Sequence, residues 1–358
     1  MLINKDIDIV VRGPCKIRVK QGTIDIQGIE INDEIEIKDN KTYTLTTLRE
    51  SEIDTECQII SYFPSLSWRK IGERISGKVI VIGDENSGKT YFSNLVANLN
   101  NSQIIDADVG QSSIFIPTFI SLSNIKKTLN AKEKGYSELQ FFGHKSPSVN
   151  PKLHIALVSK LIQNNNIVID TDGWITGIYA YRHKLELIYL TEPEYIVVFE
   201  NNINLTFPKA LENRILYVKA FPLPDKRDRN KRRKYRQELF KEYFSKATII
   251  QIESDKLFGT PLADSLFISW GTPLQLVYEL PCEGYYVPNI KGLLVGLTKK
   301  GKIVGAGIIQ DINKNYVLIK TPEKDFDGVL LGYISLNENY EDTEVKIRKC
   351  PESSHLKE

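Results

Sequence analysis

Val79-Ile80-Val81-Ile82-Gly83-Asp84-Glu85-Asn86-Ser87-Gly88-Lys89-Thr90 is an apolar, β-branched run that ends in a complete G-x-x-x-x-G-K-T loop. In such a loop the glycines let backbone N–H groups turn inward around phosphate oxygens. Lys89 would reach the β and γ phosphates, and the Thr90 hydroxyl would ligate Mg²⁺. The stretch that follows, Tyr91 to Leu99, reads as a helix with Phe92, Leu95 and Val96 on one face. Strand, loop and helix come in the order that a nucleoside-triphosphate site requires, so Gly83 to Tyr91 is the expected phosphate cradle and the core is expected to be an α/β P-loop fold with a parallel sheet.

The regions on either side differ in period. Ile7 to Val11, Lys16 to Val19, Thr23 to Ile26 and Glu34 to Ile37 alternate apolar with polar, separated by Gly13-Pro14, Gly22, Gly28 and Asn40. That pattern predicts a small antiparallel β-sandwich over residues 1–67. Residues 68–265 alternate apolar strands with helical stretches, as the core of a parallel α/β fold does. From 266 to 358 the pattern returns to short β-strands, among them Gly292 to Leu297, Gly301 to Ile309 and Tyr316 to Lys320, with Gly305 and Gly307 marking a bulge or a close backbone approach. Three domains are also what a chain of 358 residues suggests.

Composition excludes several classes of function. The chain is 41% hydrophobic without a long uncharged apolar run, so no membrane span is expected. Met1 to Asp6 open no signal-peptide core, and a cytoplasmic protein is expected. Cys15, Cys57, Cys282 and Cys350 form no C-x-x-C pair, and the four histidines lack ligand spacing. Neither zinc nor a disulfide framework is therefore indicated. The net charge is only +2, so any binding of nucleic acid must come from a local patch.

Four further segments carry chemistry. Gln103-Ile104-Ile105 runs into Asp106-Ala107-Asp108-Val109-Gly110-Gln111. A strand ending in carboxylates after a P-loop is where a Mg²⁺-holding acid belongs, and the same acid can orient an incoming hydroxyl. If the strand continues through both acids, Asp106 and Asp108 face one side, and the sequence leaves open which of them acts. Phe141 to Asn150 ends an apolar stretch in a Pro-bent polar loop. Ile167-Val168-Ile169-Asp170 is another buried strand. Trp174 would lie beyond its carboxyl end, where it either stacks a base or packs in the core. Lys226 to Arg236 is strongly basic and continues into Tyr235, Leu239, Phe240 and Tyr243 at helical spacing. It reads equally as a solvated face or as a lid carrying arginines to a transferring phosphoryl group.

Together these segments resemble the polynucleotide 5′-hydroxyl kinases of the pre-mRNA cleavage-factor and ribosomal-RNA-processing type, in matching order along nearly the whole chain. The resemblance rests on the P-loop Gly83–Thr90, the D-x-D-x-G-Q block Asp106–Gln111, a clasp Phe142–Asn150, the tryptophan segment Asp170–Trp174 and an arginine lid over 225–244. It implies a kinase core between two β domains, and transfer of the ATP γ-phosphate to the 5′-hydroxyl end of RNA or DNA, with Mg²⁺ as cofactor. Lys89 and Thr90 would serve ATP and Mg²⁺, and Asp106 or Asp108 would bind the metal and orient the hydroxyl. Gln111, Ser146, Asn150 and Trp174 would contact substrate, and Arg227, Arg232 and Arg236 would form the lid. RNA-processing proteins are the implied partners. Lys and Ile richness with a single Met would suit an archaeal member. Two departures stand out: Ser146 where many members have Thr, and Asp172, an extra acid beside Trp174 that would repel a nearby phosphate. A catalytically silent ATP-binding scaffold of an RNA-processing complex is the alternative. A GTPase switch is the poorer reading, because no N-K-x-D segment follows the P-loop.

Overall fold

Alternation decides the first 64 residues, which fold into nine short strands: β1 (Leu2–Ile3), β2 (Ile7–Arg12), β3 (Cys15–Gln21), β4 (Ile24–Ile26), β5 (Ile29–Ile31), β6 (Glu34–Ile37), β7 (Thr42–Thr47), β8 (Ser51–Thr55) and β9 (Gln58–Pro64). In β3, Ile17 and Val19 are buried while Lys16, Arg18 and Lys20 are exposed, the signature of a sheet with one wet face. The strands make two antiparallel sheets, β1-β8-β3-β6 and β5-β4-β7-β2-β9. Ile17, Val19 and Ile53 of the first share a core with Ile9, Val11, Ile24, Ile26 and Leu45 of the second. The computed structural model describes residues 1–39, 41–200, 205–222, 229–253, 256–258, 285–286, 291–312, 316–345 and 348–349.

One expectation is corrected here: Cys15 and Cys57 form a disulfide across 42 residues. The cause is register. β3 and β8 run antiparallel with Ile17 opposite Thr55, and Glu56 N–H donates to Lys16 O at 3.2 Å. One further step along the same ladder brings residue 15 to residue 57. Cys282 and Cys350 lie outside the described residues.

The middle of the chain gives α1 (Trp68–Gly72), β10 (Val79–Ile82), α2 (Lys89–Asn100), β11 (Gln103–Asp106), β12 (Phe119–Ser123), β13 (Tyr136–Phe141), α3 (Pro151–Lys160), β14 (Ile167–Asp170), α4 (Ile178–Thr191), β15 (Tyr195–Glu200) and β16 (Ile215–Lys219). These strands form one sheet in the order β13-β12-β11-β14-β10-β15-β16. The five strands from β11 to β16 in that order are parallel. Every residue of β10 and β14 is buried, as strands covered on both faces should be.

The last part contains α5 (Arg229–Tyr243), β17 (Thr248–Glu253), β18 (Leu257–Phe258), β19 (Tyr285–Tyr286), β20 (Leu293–Lys299), β21 (Lys302–Ile312), β22 (Tyr316–Thr321), β23 (Gly328–Leu336), β24 (Asp342–Glu344) and β25 (Arg348–Lys349). The main sheet has the order β17-β22-β21-β20-β23-β18, with β24 on β23. Between β20 and β21 the register slips, pairing Leu297 with Gly305 and Thr298 with Ile303, so Val304 is the extra residue of a bulge. A Cβ at Gly305 would lie 2.6 Å from the Tyr243 hydroxyl. That close approach explains the glycine. Among the described residues no helix is long and apolar enough to cross a membrane.

The chain divides into two compact units. The first comprises Met1–Asp106, Leu122–Tyr136 and Ile162–Pro224; the second comprises Ala107–Ser121, Ser137–Leu161 and Asp225–Glu358.

Candidate active site

In the first unit the phosphate loop leaves the carboxyl end of β10. Gly88 has φ +102°, and a Cβ there would stand 2.4 Å from the Trp68 ring, so both backbone and space require glycine. Trp68 is itself fixed by Tyr91, Phe92, Phe199 and Phe221 and by a 3.0 Å hydrogen bond from its Nε1 to Lys219 O. Asn86 also has positive φ, at 60°. Lys89 is buried, and its Nζ donates to Asp84 O at 2.6 Å across the loop. The Ser87 hydroxyl donates to the same carbonyl at 2.9 Å, and Glu85 N–H donates to the Asp84 carboxylate at 2.7 Å. Phe92 N–H donates to Gly88 O, so the N–H groups of Lys89, Thr90 and Tyr91 precede it at the positive end of the α2 dipole. Thr90 is exposed there. The Tyr91 side chain turns away to the N-terminal strands, donating to Thr44 O at 2.8 Å, and burial pushes its hydroxyl pKa up. Its contribution to a phosphate would come from the backbone.

Asp106 is the last residue of β11 and is buried. The strand stops there and does not reach Asp108, so the two acids do not share a strand face. The in-register partner of Asp106 is instead Asp170, at the end of β14, whose other neighbour is β10. Residues paired across adjacent strands point to the same face. Two buried carboxylates thus stand side by side, Asp170 on the strand next to β10 and Asp106 on the strand beyond it. Sequence reading took Asp170 only as the start of the tryptophan segment, although it carries the same signal as Asp106, an apolar strand ending in an acid.

Beyond β14, Gly173 packs against the loop: a Cβ there would be 2.9 Å from Glu85 N. Trp174 is half-buried, with its ring centroid 5.5 Å from that of His183. Asp172 accepts from Trp174 N–H at 2.7 Å and pairs with the buried Lys184 ammonium, also at 2.7 Å. This corrects the expectation of repulsion, because the Asp172 charge is neutralised inside the fold.

In the second unit, Asp108 is half-buried and folds its own turn, accepting from Gly110 N–H at 3.0 Å and Gln111 N–H at 2.8 Å. His154 of α3, fully buried, bonds through Nε2 to Ala107 O at 2.8 Å. Gly110 sits against Lys145 O, where a Cβ would be 2.7 Å away. Ser146 caps the short turn that follows it, and Asn150 caps α3 by accepting from Leu153 N–H at 3.1 Å. Ser146 N–H donates to His144 Nδ1 at 3.1 Å, and burial holds the His144 pKa below its ordinary value despite Glu344 nearby. Helix α5 sends Phe240 into a core with Phe115, Phe119, Phe141 and Leu294, and Leu239 is buried as well. Arg232 and Arg236 are one turn apart on this helix. The Arg236 guanidinium is held by Asp342 of β24 at 2.9 and 3.2 Å. Arg227 lies outside the described residues.

The donor set suits ATP with Mg²⁺. Among the described residues no group of three or more His, Cys, Asp or Glu side chains is arranged to hold a metal by itself. Mg²⁺ commonly takes one or two carboxylates and completes its shell with phosphates and water. A hydroxyl at Thr90 and carboxylates at Asp106 and Asp170 fit that chemistry.

Residues 83–246 match the family model described as the mRNA cleavage and polyadenylation factor CLP1 P-loop. The polyribonucleotide 5′-hydroxyl-kinase of Methanocaldococcus jannaschii is 29% identical over 292 residues, 72% of this chain and 74% of the relative. That of Pyrococcus furiosus is 26% identical over 330 residues, 76% and 91%. A solved Clp1p structure, in complex with Pcf11p, superposes with TM-score 0.65 over 94% of this chain and 97% of its own, at 16% identity, a likeness of fold. Residues 83–246 thus carry the CLP1-type P-loop, and over about three quarters of its length the chain is similar to polyribonucleotide 5′-hydroxyl-kinases.

Proposed function

We propose that this chain is an ATP-dependent kinase that transfers the γ-phosphate of ATP to the 5′-hydroxyl end of RNA in RNA processing. The observation that carries the reading is the buried, register-paired Asp106 and Asp170 beside a phosphate loop whose Lys89 opens α2, in a chain whose relatives are named as such kinases. The 5′-oxygen attacks the γ-phosphorus, the bond to the β–γ bridging oxygen breaks, and ADP leaves with that oxygen. Protein chemistry in such a transfer is positioning and charge neutralisation. Lys89 and the first N–H groups of α2 hold the phosphates. Thr90, Asp106 and Asp170 would hold Mg²⁺, which would supply neutralisation of charge on the phosphate oxygens. Asp108 orients the attacking hydroxyl and accepts its proton. Gln111, Ser146 and Asn150 line the substrate path, Trp174 stacks the terminal base, and Arg232 and Arg236 meet the transferring group, with Arg227 as a third lid arginine. Because Clp1p was solved with Pcf11p, a protein partner from RNA processing belongs to the proposal.

The test incubates purified protein with Mg²⁺, γ-labelled ATP and matched 5′-hydroxyl RNA and DNA oligonucleotides, with 5′-phosphorylated controls. Label is expected only on 5′-hydroxyl ends, with RNA at least equal to DNA. Lys89→Ala is expected to lower transfer by roughly 10²- to 10³-fold, the usual loss for one donor aimed at developing charge. Unlabelled RNA with ATP retained on the protein would favour an ATP-holding scaffold.

A further inference from the structure

The second unit contains a buried carboxylate that no step above uses. Asp342, at the start of β24, has a side chain only 2% exposed. It accepts two hydrogen bonds from the Arg236 guanidinium and one from Lys145 Nζ at 3.0 Å. Lys145 directly precedes Ser146, and its backbone carbonyl is the surface on which Gly110 of the acid loop rests. The neighbour of Arg236 makes a second tie to that loop, since the Tyr235 hydroxyl donates to Ser112 O at 3.0 Å. One buried carboxylate therefore joins the arginine helix to the 144–150 loop, and both of these touch the segment after Asp108.

This arrangement exceeds what docking α5 requires. Phe240 and Tyr243, with Phe244 just after the helix, already anchor it in an apolar core. Burying a carboxylate with two cations is at best a weak source of net stability, whereas it fixes geometry strongly. Burial pushes the Asp342 pKa up, but the hydrogen bonds and charges of Arg236 and Lys145 outweigh it and keep the carboxyl below its ordinary value. The group stays ionised at neutral pH. A bidentate grip on one edge of the guanidinium sets its plane and leaves its other N–H groups unused by this carboxylate.

We propose that Asp342 is a positioning residue for phosphoryl transfer: it holds Arg236 in one rotamer and, through Lys145, holds the 144–150 loop in register with it. The proposal rests on the kinase reading above. It gives the C-terminal sheet a share in the chemistry without contact between Asp342 and substrate.

The experiment compares wild type, Asp342→Asn, Arg236→Lys and the double variant on 5′-hydroxyl RNA, with hydrogen exchange of α5 measured on each. Asp342→Asn keeps the shape and removes the charge. Its kcat is expected to fall roughly 10- to 100-fold, the range for a hydrogen bond between charged groups, with the KM for ATP within about threefold. The double variant is expected to be no slower than Arg236→Lys alone, because both remove one interaction. Amides of α5 are expected to exchange faster in Asp342→Asn, while Glu341→Gln, which removes the neighbouring charge that pairs with exposed Arg233 and accepts from Asn337, keeps the wild-type kcat. Wild-type kcat in Asp342→Asn, or losses that multiply in the double variant, would overturn the role. A merely structural role would lower the melting temperature and leave kcat per folded molecule untouched, which also overturns it. Wild-type protein that labels no 5′-hydroxyl end would sink the kinase reading together with this one, so the two failures are distinguishable.

Discussion

The phosphate loop and the arginine helix, which the proposed function brings to one substrate, are made of different material. The loop is shaped by backbone: Gly88 has a φ that side chains resist, N–H groups gather at the head of α2, and Lys89 bonds to a main-chain carbonyl. Around α5 the groups are side chains: Arg236, Lys145 and Asp342 hold one another across 197 residues of sequence. The first kind of site is local and tolerates almost no change of residue type at a few positions. The second is assembled from distant residues and is specified by charge and reach. Variants in the two regions should therefore fail differently, the first in ATP binding and the second in turnover.

The largest effect is expected at Gly88→Ala. The new Cβ would meet Trp68 at 2.4 Å, at a φ of +102° that costs about 1–3 kcal/mol for a non-glycine residue. Overpacking adds roughly as much again. ATP dissociation constants measured by calorimetry should rise by about 100-fold, since each 1.4 kcal/mol is tenfold. Tight ATP binding in this variant would mean that the loop repacks around Trp68, and the distinction between the two regions would fail. Asp342→Asn, by contrast, should leave that constant nearly unchanged.

The same distinction decides what the sequence reveals. β10, its loop and α2 follow one another within 22 residues, so motif and periodicity identify them together. Asp106 was visible as a strand-terminal acid, but the end of its strand was not, because Ala107-Asp108-Val109 continues the alternation while Asp108 closes a turn. Asp170 carried the same signal and was passed over, because the nearby tryptophan drew the reading. The Cys15–Cys57 bridge depends on which strand pairs with which, and no spacing rule contains that. Asp342 lies in Glu341-Asp342-Thr343-Glu344, a run that reads as a solvated surface turn. Only the fold brings Arg236 and Lys145 to it. Lys184, which neutralises Asp172, is equally silent in sequence despite standing twelve residues away, because nothing in the spacing marks either as buried.

A smaller effect tests whether the first unit is wholly a backbone device. Behind the loop, α2 is held by a buried amide network: Asn94 and Asn98 donate to Gln27 and to Thr128 O, and Lys134 Nζ donates to Asn98 Oδ1 at 2.7 Å and to Lys126 O. Burial, with Lys126 adding to it, pushes the Lys134 pKa down to about 8. The neutral amine keeps both donated bonds, so deprotonation relieves a cost without breaking the network. Between about pH 8 and the ordinary lysine value, the unfolded chain binds more protons than the folded one, so stability rises with pH there. The gain should approach roughly 3 kcal/mol at most. Denaturation midpoints of wild type measured against Lys134→Met from pH 7.5 to 10 should diverge upward in that window. A constant difference would show that Lys134 keeps its charge in the fold, and α2 would then be held by a buried cation.

The smallest effect belongs to Trp174. The indole is half-buried against His183, the Trp174 backbone N–H donates to Asp172, and Asp172 is in turn neutralised by Lys184. With that charge cancelled, Asp172 does not repel a nucleic-acid phosphate. The ring is then an exposed-edged platform set on a rigid base, which is what stacking on a terminal nucleotide needs. Trp174→Ala should weaken binding of 5′-hydroxyl RNA by about 1–3 kcal/mol, read as a rise in its KM, and leave the KM for ATP alone. A loss shared by both substrates would mean that the indole supports the loop through Gly173 and Glu85 instead of the base, and would place Trp174 with the backbone-built half of the site.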